Sequence, residues 1–133
     1  MIFKRRTKPI NLEHVDQIDE LAASGKPVFL DFWQTGCQPC RTMDGVVNEL
    51  ADEFSDSAHV VKVNVRNVPA AAQRFRVMST PTFVVYGASP KKQAKKSKRQ
   101  GGGIGERWRA SGLVKKQQLE QVLERNGASR AGE

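Results

Sequence analysis

The chain has 133 residues, 38% of them apolar and 27% charged, which suits one globular domain and argues against wholesale disorder. No run approaches the roughly 18 apolar residues of a spanning helix, and no apolar stretch follows the basic start Met1-Ile2-Phe3-Lys4-Arg5-Arg6 to make a signal peptide. The net charge of +8, taken whole, points to an anionic partner such as nucleic acid or a membrane surface.

Residues 1–10 form a basic arm or first strand carrying Lys4, Arg5, Arg6 and Lys8. Leu12, Val15, Ile18, Leu21 and Ala22 recur at helical spacing, with Asn11 placed as N-cap and Ser24-Gly25-Lys26-Pro27 as the stop. Val28-Phe29-Leu30-Asp31-Phe32-Trp33 reads as a buried strand whose one charge is Asp31. Thr35-Gly36-Cys37-Gln38-Pro39-Cys40 turns into a helix with Met43, Val46, Val47, Leu50 and Phe54 on one side. Gly45 falls inside that helix, where it costs about 1 kcal/mol relative to Ala and permits a bend.

Val60 to Val65 reads as a second strand, with Val61, Val63 and Val65 on one face and Lys62 and Asn64 on the other. A short helix follows over Pro69 to Phe75, with Pro in the tolerated first turn. Thr82 to Tyr86 is a third strand directly after Pro81, and Glu106 to Ser111 a weaker fourth. Lys115 to Arg125 closes the pattern as an amphipathic helix through Leu119, Val122 and Leu123, stopped by Asn126-Gly127, with residues 127–133 as a frayed, flexible tail. Helices and strands in this order suit an α/β sandwich with a mixed sheet.

Between the last two strands, residues 87–104 form a basic, Gly-rich insertion. Lys91, Lys92, Lys95, Lys96, Lys98 and Arg99 put six cations into nine positions. With the four in the arm, these segments hold ten of the 22 basic residues, leaving twelve against 14 acidic ones, a net of −2. The body is therefore near neutral. No aromatic residue interleaves the lysines to offer a stacking platform, so the run reads as a solvated loop or as a loose tether to nucleic acid, ribosome or anionic membrane.

The only two cysteines stand as Cys37-Gln38-Pro39-Cys40. His14 and His59 stand far off singly rather than at ligand spacing, so the sequence gives only weak support to a metal site within one chain. Cys37 lies at a helix N-terminus, where the dipole and unpaired N–H groups favour a thiolate. Cys40, one turn on, can reach back to close a disulfide. Two inert thiols or a structural clip are the plainer readings of such a pair.

The segments Val28 to Trp33, Cys37 to Cys40 and Ser79-Thr80-Pro81-Thr82-Phe83, in this order and spacing, resemble the thioredoxin family from about Leu12 to Asn126. The resemblance implies a thioredoxin-like three-layer sandwich, a central mixed sheet flanked by helices, in a monomeric cytoplasmic protein. It implies a thiol–disulfide oxidoreductase acting on protein disulfides, with Cys37 as attacking thiol and Cys40 as resolving thiol. The redox-active pair then needs no other cofactor and no metal, and a thioredoxin reductase is a possible electron donor. By the same resemblance Asp31 is a buried carboxylate beneath the cysteines with Lys62 near it, Pro81 a cis-proline facing the disulfide, and Trp33 a tryptophan packed beside it.

The residues carry physical readings too. A carboxylate in an apolar strand has a raised pKa, which suits proton exchange with Cys40. A cis bond before Pro81 leaves the backbone of Thr80 free to pair with an extended substrate. Trp33, Gly36, Thr80 and Pro81 are thus the expected substrate-binding residues, and Lys62, Gln38 and Pro39 the expected tuners of thiol pKa.

The family's usual Trp-Cys-Gly-Pro-Cys is altered here. Gly36 replaces the tryptophan, Gln38 the first glycine, Gly45 a helix-bending proline and Thr80 an isoleucine. The residues between the cysteines bear on the potential, the lost tryptophan on partner docking, and Thr80 makes the groove more polar. Two other functions fit less of the sequence: a binding module tethered by its basic loop without redox turnover, and a metal or cluster site shared across a dimer.

Overall fold

A computed structural model describes residues 5–90 and 103–131. Five strands form one sheet: β1 (Ile10–Asn11), β2 (Val28–Trp33), β3 (His59–Asn64), β4 (Thr82–Gly87) and β5 (Gly105–Ser111). Four helices alternate with them: α1 (Asp16–Ala22), α2 (Gln38–Glu53), α3 (Pro69–Arg74) and α4 (Lys116–Arg125). The strand order is β1-β3-β2-β4-β5. The first three neighbours run parallel, while β4 and β5 pair antiparallel to β2 and to each other.

Two cores lie on the two faces of this sheet, and the period-2 alternation of the strands sorts their residues. Phe29 and Val60 join Met43, Val47, Leu50, Phe54, Leu119 and Leu123 on the α2 and α4 side. Val28, Leu30, Phe32, Val61 and Val63 join Ile18, Ala71 and Phe75 on the α1 and α3 side. The expected three-layer sandwich is therefore present. Burial at both faces explains why β2 is almost wholly apolar, and the same alternation sends Asp31, Trp33 and Lys62 to the α2 side.

Three local expectations are corrected. Asn11 is not a helix cap: Ile10 and Asn11 pair with Val61 and Lys62 as a parallel edge strand, and Leu12 N–H continues the ladder to the Lys62 carbonyl at 2.9 Å. Helix α1 starts only at Asp16, with Val15 as N-cap. Strand β3 begins at His59, one residue before the expected start at Val60, and the His59 ring hydrogen-bonds Ser24 Oγ at 3.0 Å.

Residues 128–131 are not a free tail. Ala128 is buried, Ser57 Oγ donates to the Ser129 carbonyl at 2.6 Å and accepts from its N–H at 2.8 Å, and Ala131 N–H reaches the Glu53 carbonyl. Small residues without periodicity can dock as firmly as a helix when their backbone groups find partners.

Helix α2 runs unbroken through Gly45. Among the described residues no helix is long and apolar enough to cross a membrane. The cationic run Lys91 to Arg99 lies outside the described residues. Its flanks do not: Gly87 pairs with Gly105 at one end of the β4–β5 ladder, while Thr82 pairs with Ser111 at the other.

Candidate functional site

The C-terminal ends of the parallel strands carry the chemistry, the usual place for a site in open α/β sheets. Beyond Trp33 the chain turns through Gly36, whose φ of +85° falls where only glycine sits without strain, and enters α2. Cys37 is the N-cap, followed by Gln38, Pro39 and Cys40 as the first three helical residues. Its sulfur takes the place of the usual capping oxygen and accepts the Cys40 N–H at 3.2 Å. Pro39 fits because its missing N–H would have had no helical partner. The cysteines form a disulfide with their Cα atoms 5.2 Å apart. Cys37 is half-exposed and Cys40 buried, so an incoming group meets Cys37 first.

Across the disulfide, the Thr80–Pro81 bond is cis and the Thr80 carbonyl oxygen stands 3.5 Å from Cys37 Sγ. Beneath lies Asp31, 3% exposed, paired in register with Lys62 on one side and Phe83 on the other. Its Oδ1 has no hydrogen-bond partner among the described residues. Burial pushes the carboxyl up to about 7, with the Lys62 ammonium drawing it down and the Asp44 carboxylate adding to the rise.

Lys62 stacks over the Trp33 ring at 5.0 Å, a cation–π contact that holds both side chains on the α2 face. Its ion pair is with Asp44, one helical turn beyond Cys40, rather than with Asp31. A cleft of about 250 Å³ opens over these groups, with Trp33, Gly36, Cys40, Arg41, Asp44 and Lys62 in its walls.

The structure thus gathers Asp31, Trp33, Gly36, Cys37, Pro39, Cys40, Lys62, Thr80 and Pro81 at one place. Gln38, an expected tuner, is exposed at the start of α2. Sequence reasoning missed Asp44 and Gln34. The Gln34 amide donates to Thr80 Oγ1 at 3.0 Å and accepts from Arg66 Nε at 3.4 Å. A signal existed for Asp44, since a carboxylate four residues after Cys40 shares its helix face. None existed for Gln34, whose partners are 32 and 46 positions away. Among the described residues, no three His, Cys, Asp or Glu side chains gather as a metal site requires.

The thioredoxin family model matches residues 9–108. The chain is 36% identical over 105 residues to thioredoxin 1 of Chlorobaculum tepidum, covering 79% of this chain and 89% of that one. It is 37% identical over 75 residues to a bifunctional thioredoxin reductase/thioredoxin of Mycobacterium leprae, covering 56% of this chain and 16% of that protein. Among solved structures, a thioredoxin of Malassezia sympodialis superposes with a TM-score of 0.73 at 20% identity, over 96% of this chain and 98% of that one. Together with a Cys-X-X-Cys disulfide capping a helix beside a cis-proline, these matches define a thiol–disulfide oxidoreductase. The chain belongs to the thioredoxin family.

Proposed function

We propose that the reduced Cys37/Cys40 pair reduces disulfides in protein substrates within the cytoplasm, as a monomer, and is itself re-reduced by a thioredoxin-reductase-type dithiol donor. One observation carries this reading: the half-exposed Cys37 sulfur caps α2 and accepts the Cys40 N–H at 3.2 Å. A helix N-terminus and a donated N–H both favour thiolate over thiol. The donor class is suggested by the mycobacterial fusion, which joins a reductase to a thioredoxin in one chain.

Cys37 thiolate attacks one sulfur of the substrate disulfide. That S–S bond breaks, the first substrate sulfur leaves as thiolate and takes a proton from water, and a mixed disulfide forms. Asp31, with a pKa near 7, accepts the proton of the buried Cys40 thiol. Cys40 then attacks Cys37 Sγ, closing the intramolecular disulfide and releasing the second substrate thiolate. Two electrons have passed to the substrate.

The Thr80 backbone beside Cys37 offers hydrogen bonds to an extended substrate chain. Trp33, Gly36 and Pro81 shape that groove, while Lys62 and Pro39 act on the protons and the helix start. The cationic run Lys91 to Arg99 adds a weak attraction to polyanions, nucleic acid or an anionic membrane surface.

Insulin reduction by dithiothreitol tests the reading. Wild-type protein accelerates precipitation of the insulin chains, and Cys37→Ser does not. Equal rates for the two overturn it.

A further inference from the structure

The mouth of the redox cleft is polar and positively charged, and the structure fixes the groups that make it so. Gln34, first residue after β2, spans from the cis-proline loop to the turn after β3, with its amide donating to Thr80 Oγ1 at 3.0 Å and its Oε1 accepting from Arg66 Nε at 3.4 Å. The Arg66 backbone is anchored as well, its N–H donating to Asn64 Oδ1 at 3.0 Å. Arg66, exposed, is thus held at both its backbone N–H and its Nε. Arg41, exposed in the first turns of α2, lines the same cleft.

The carboxylate in the cleft wall, Asp44, is engaged by Lys62. Among the described residues, neither Arg41 nor Arg66 makes an ion pair with a carboxylate. The lip itself is open: a Cβ at Gly36 would meet nothing within 4 Å. Arg41 on the cleft wall and Arg66, joined to the cis-proline loop through Gln34, thus present guanidinium groups without carboxylate partners around a lip that carries no bulky apolar side chain.

We propose that Arg41 and Arg66, the latter seated by Gln34, form a docking surface for disulfide substrates that carry a carboxylate side chain next to the reacting cysteine. This rests on the redox reading above and adds the substrate class to it. A carboxylate fits the guanidinium fork in bidentate fashion, and the Thr80 backbone is placed to hold the same chain in extended form. Arg41 and Arg66 are rim cations, so they act on encounter and on salt dependence more than on the chemical step. Gln34 is a positioning residue acting through Arg66 and Thr80.

Two disulfide-closed peptides, identical except for Glu or Lys beside each cysteine, provide the test with the full-length reduced protein. Second-order reduction rates at low ionic strength favour the Glu peptide by about ten-fold, each arginine supplying about three-fold, and the ratio collapses toward one in half-molar salt as screening sets in. Arg41→Gln and Arg66→Gln each narrow the ratio, and Gln34→Ala narrows it by about as much as Arg66→Gln. Equal wild-type rates for both peptides, or a preference for Lys, overturn the docking proposal and leave the redox reading standing. If neither peptide is reduced, both readings fall together. A Glu preference that survives in the Arg41→Gln/Arg66→Gln double variant also overturns it.

Discussion

Replacing Asp31 by Asn stabilises the oxidised protein in a way that depends steeply on pH. The carboxyl is 3% exposed and its pKa rises from 3.8 to about 7 on burial. An acid with a raised native pKa binds its proton more tightly in the folded state. Stability from that proton is complete below about pH 3.8 and is lost as pH climbs through the native value near 7. At about 1.4 kcal/mol per unit, the cost of Asp31 is about 1 kcal/mol at pH 4.5 and about 4 kcal/mol at pH 8. Asn removes the charge but leaves an imperfectly bonded amide, which costs the same at both pH values and cancels in the comparison. Urea unfolding of the disulfide-bonded wild type and Asp31→Asn, at about pH 4.5 and pH 8, reads out the difference. The expected gain is greater at the higher pH by about 3 kcal/mol. A gain that changes by less than about 1 kcal/mol between the two conditions refutes the buried, proton-binding role assigned to Asp31.

Other expectations bear on the same site and on its frame. In Asp44→Asn, Lys62 loses its ion-pair partner and Asp31 a neighbouring negative charge, so the Asp31 titration followed by carboxyl NMR moves to lower pH; Lys62→Met moves it the other way. Gly45→Ala raises stability by about 1 kcal/mol, because a Cβ there meets nothing within 4 Å and α2 is helical on both sides of it; thermal unfolding measures it. Deleting Lys91 to Arg99 removes six positive charges. The shortened protein leaves a heparin column at lower salt than wild type, while insulin reduction stays within about two-fold because the encounter surface is untouched.

The parts of this fold that could be read ahead are those where one local pattern coincides with burial. Val28 to Trp33 is apolar because both faces of the sheet are covered, and Cys37 to Cys40 is legible because three residues of helix bring two sulfurs to one side. Residues 10–11 lacked any such pattern. Two residues cannot show alternation, and what makes them a strand is the backbone of Val61 and Lys62, fifty-odd positions away. The anchored segment 128–131 fails for the same reason, since its partners are backbone groups and Ser57. At the site, the cysteines, Asp31 and Pro81 declared themselves by type and spacing. Asp44 carried only its helix-face spacing from Cys40, and the Gln34–Arg66 bridge carried no signal, because polar residues in turns acquire a role only when the tertiary fold brings their partners close.

The direction of β4 has a consequence for any surface on which the protein settles. Thr82 begins that strand beside the cis-proline; Gly87 ends it five residues later, about 16–17 Å away at the rise of an extended chain. The lysine-rich insertion departs after Gly87 and the chain re-enters the sheet at Gly105, so its roots lie at the end of the β4–β5 ladder away from Thr82 and the cis-proline. A polyanion that bound the insertion would draw on the protein at the Gly87/Gly105 end of the ladder, away from the Thr82 end. Along β4 the described roots of the insertion and the cis-proline are set at opposite ends.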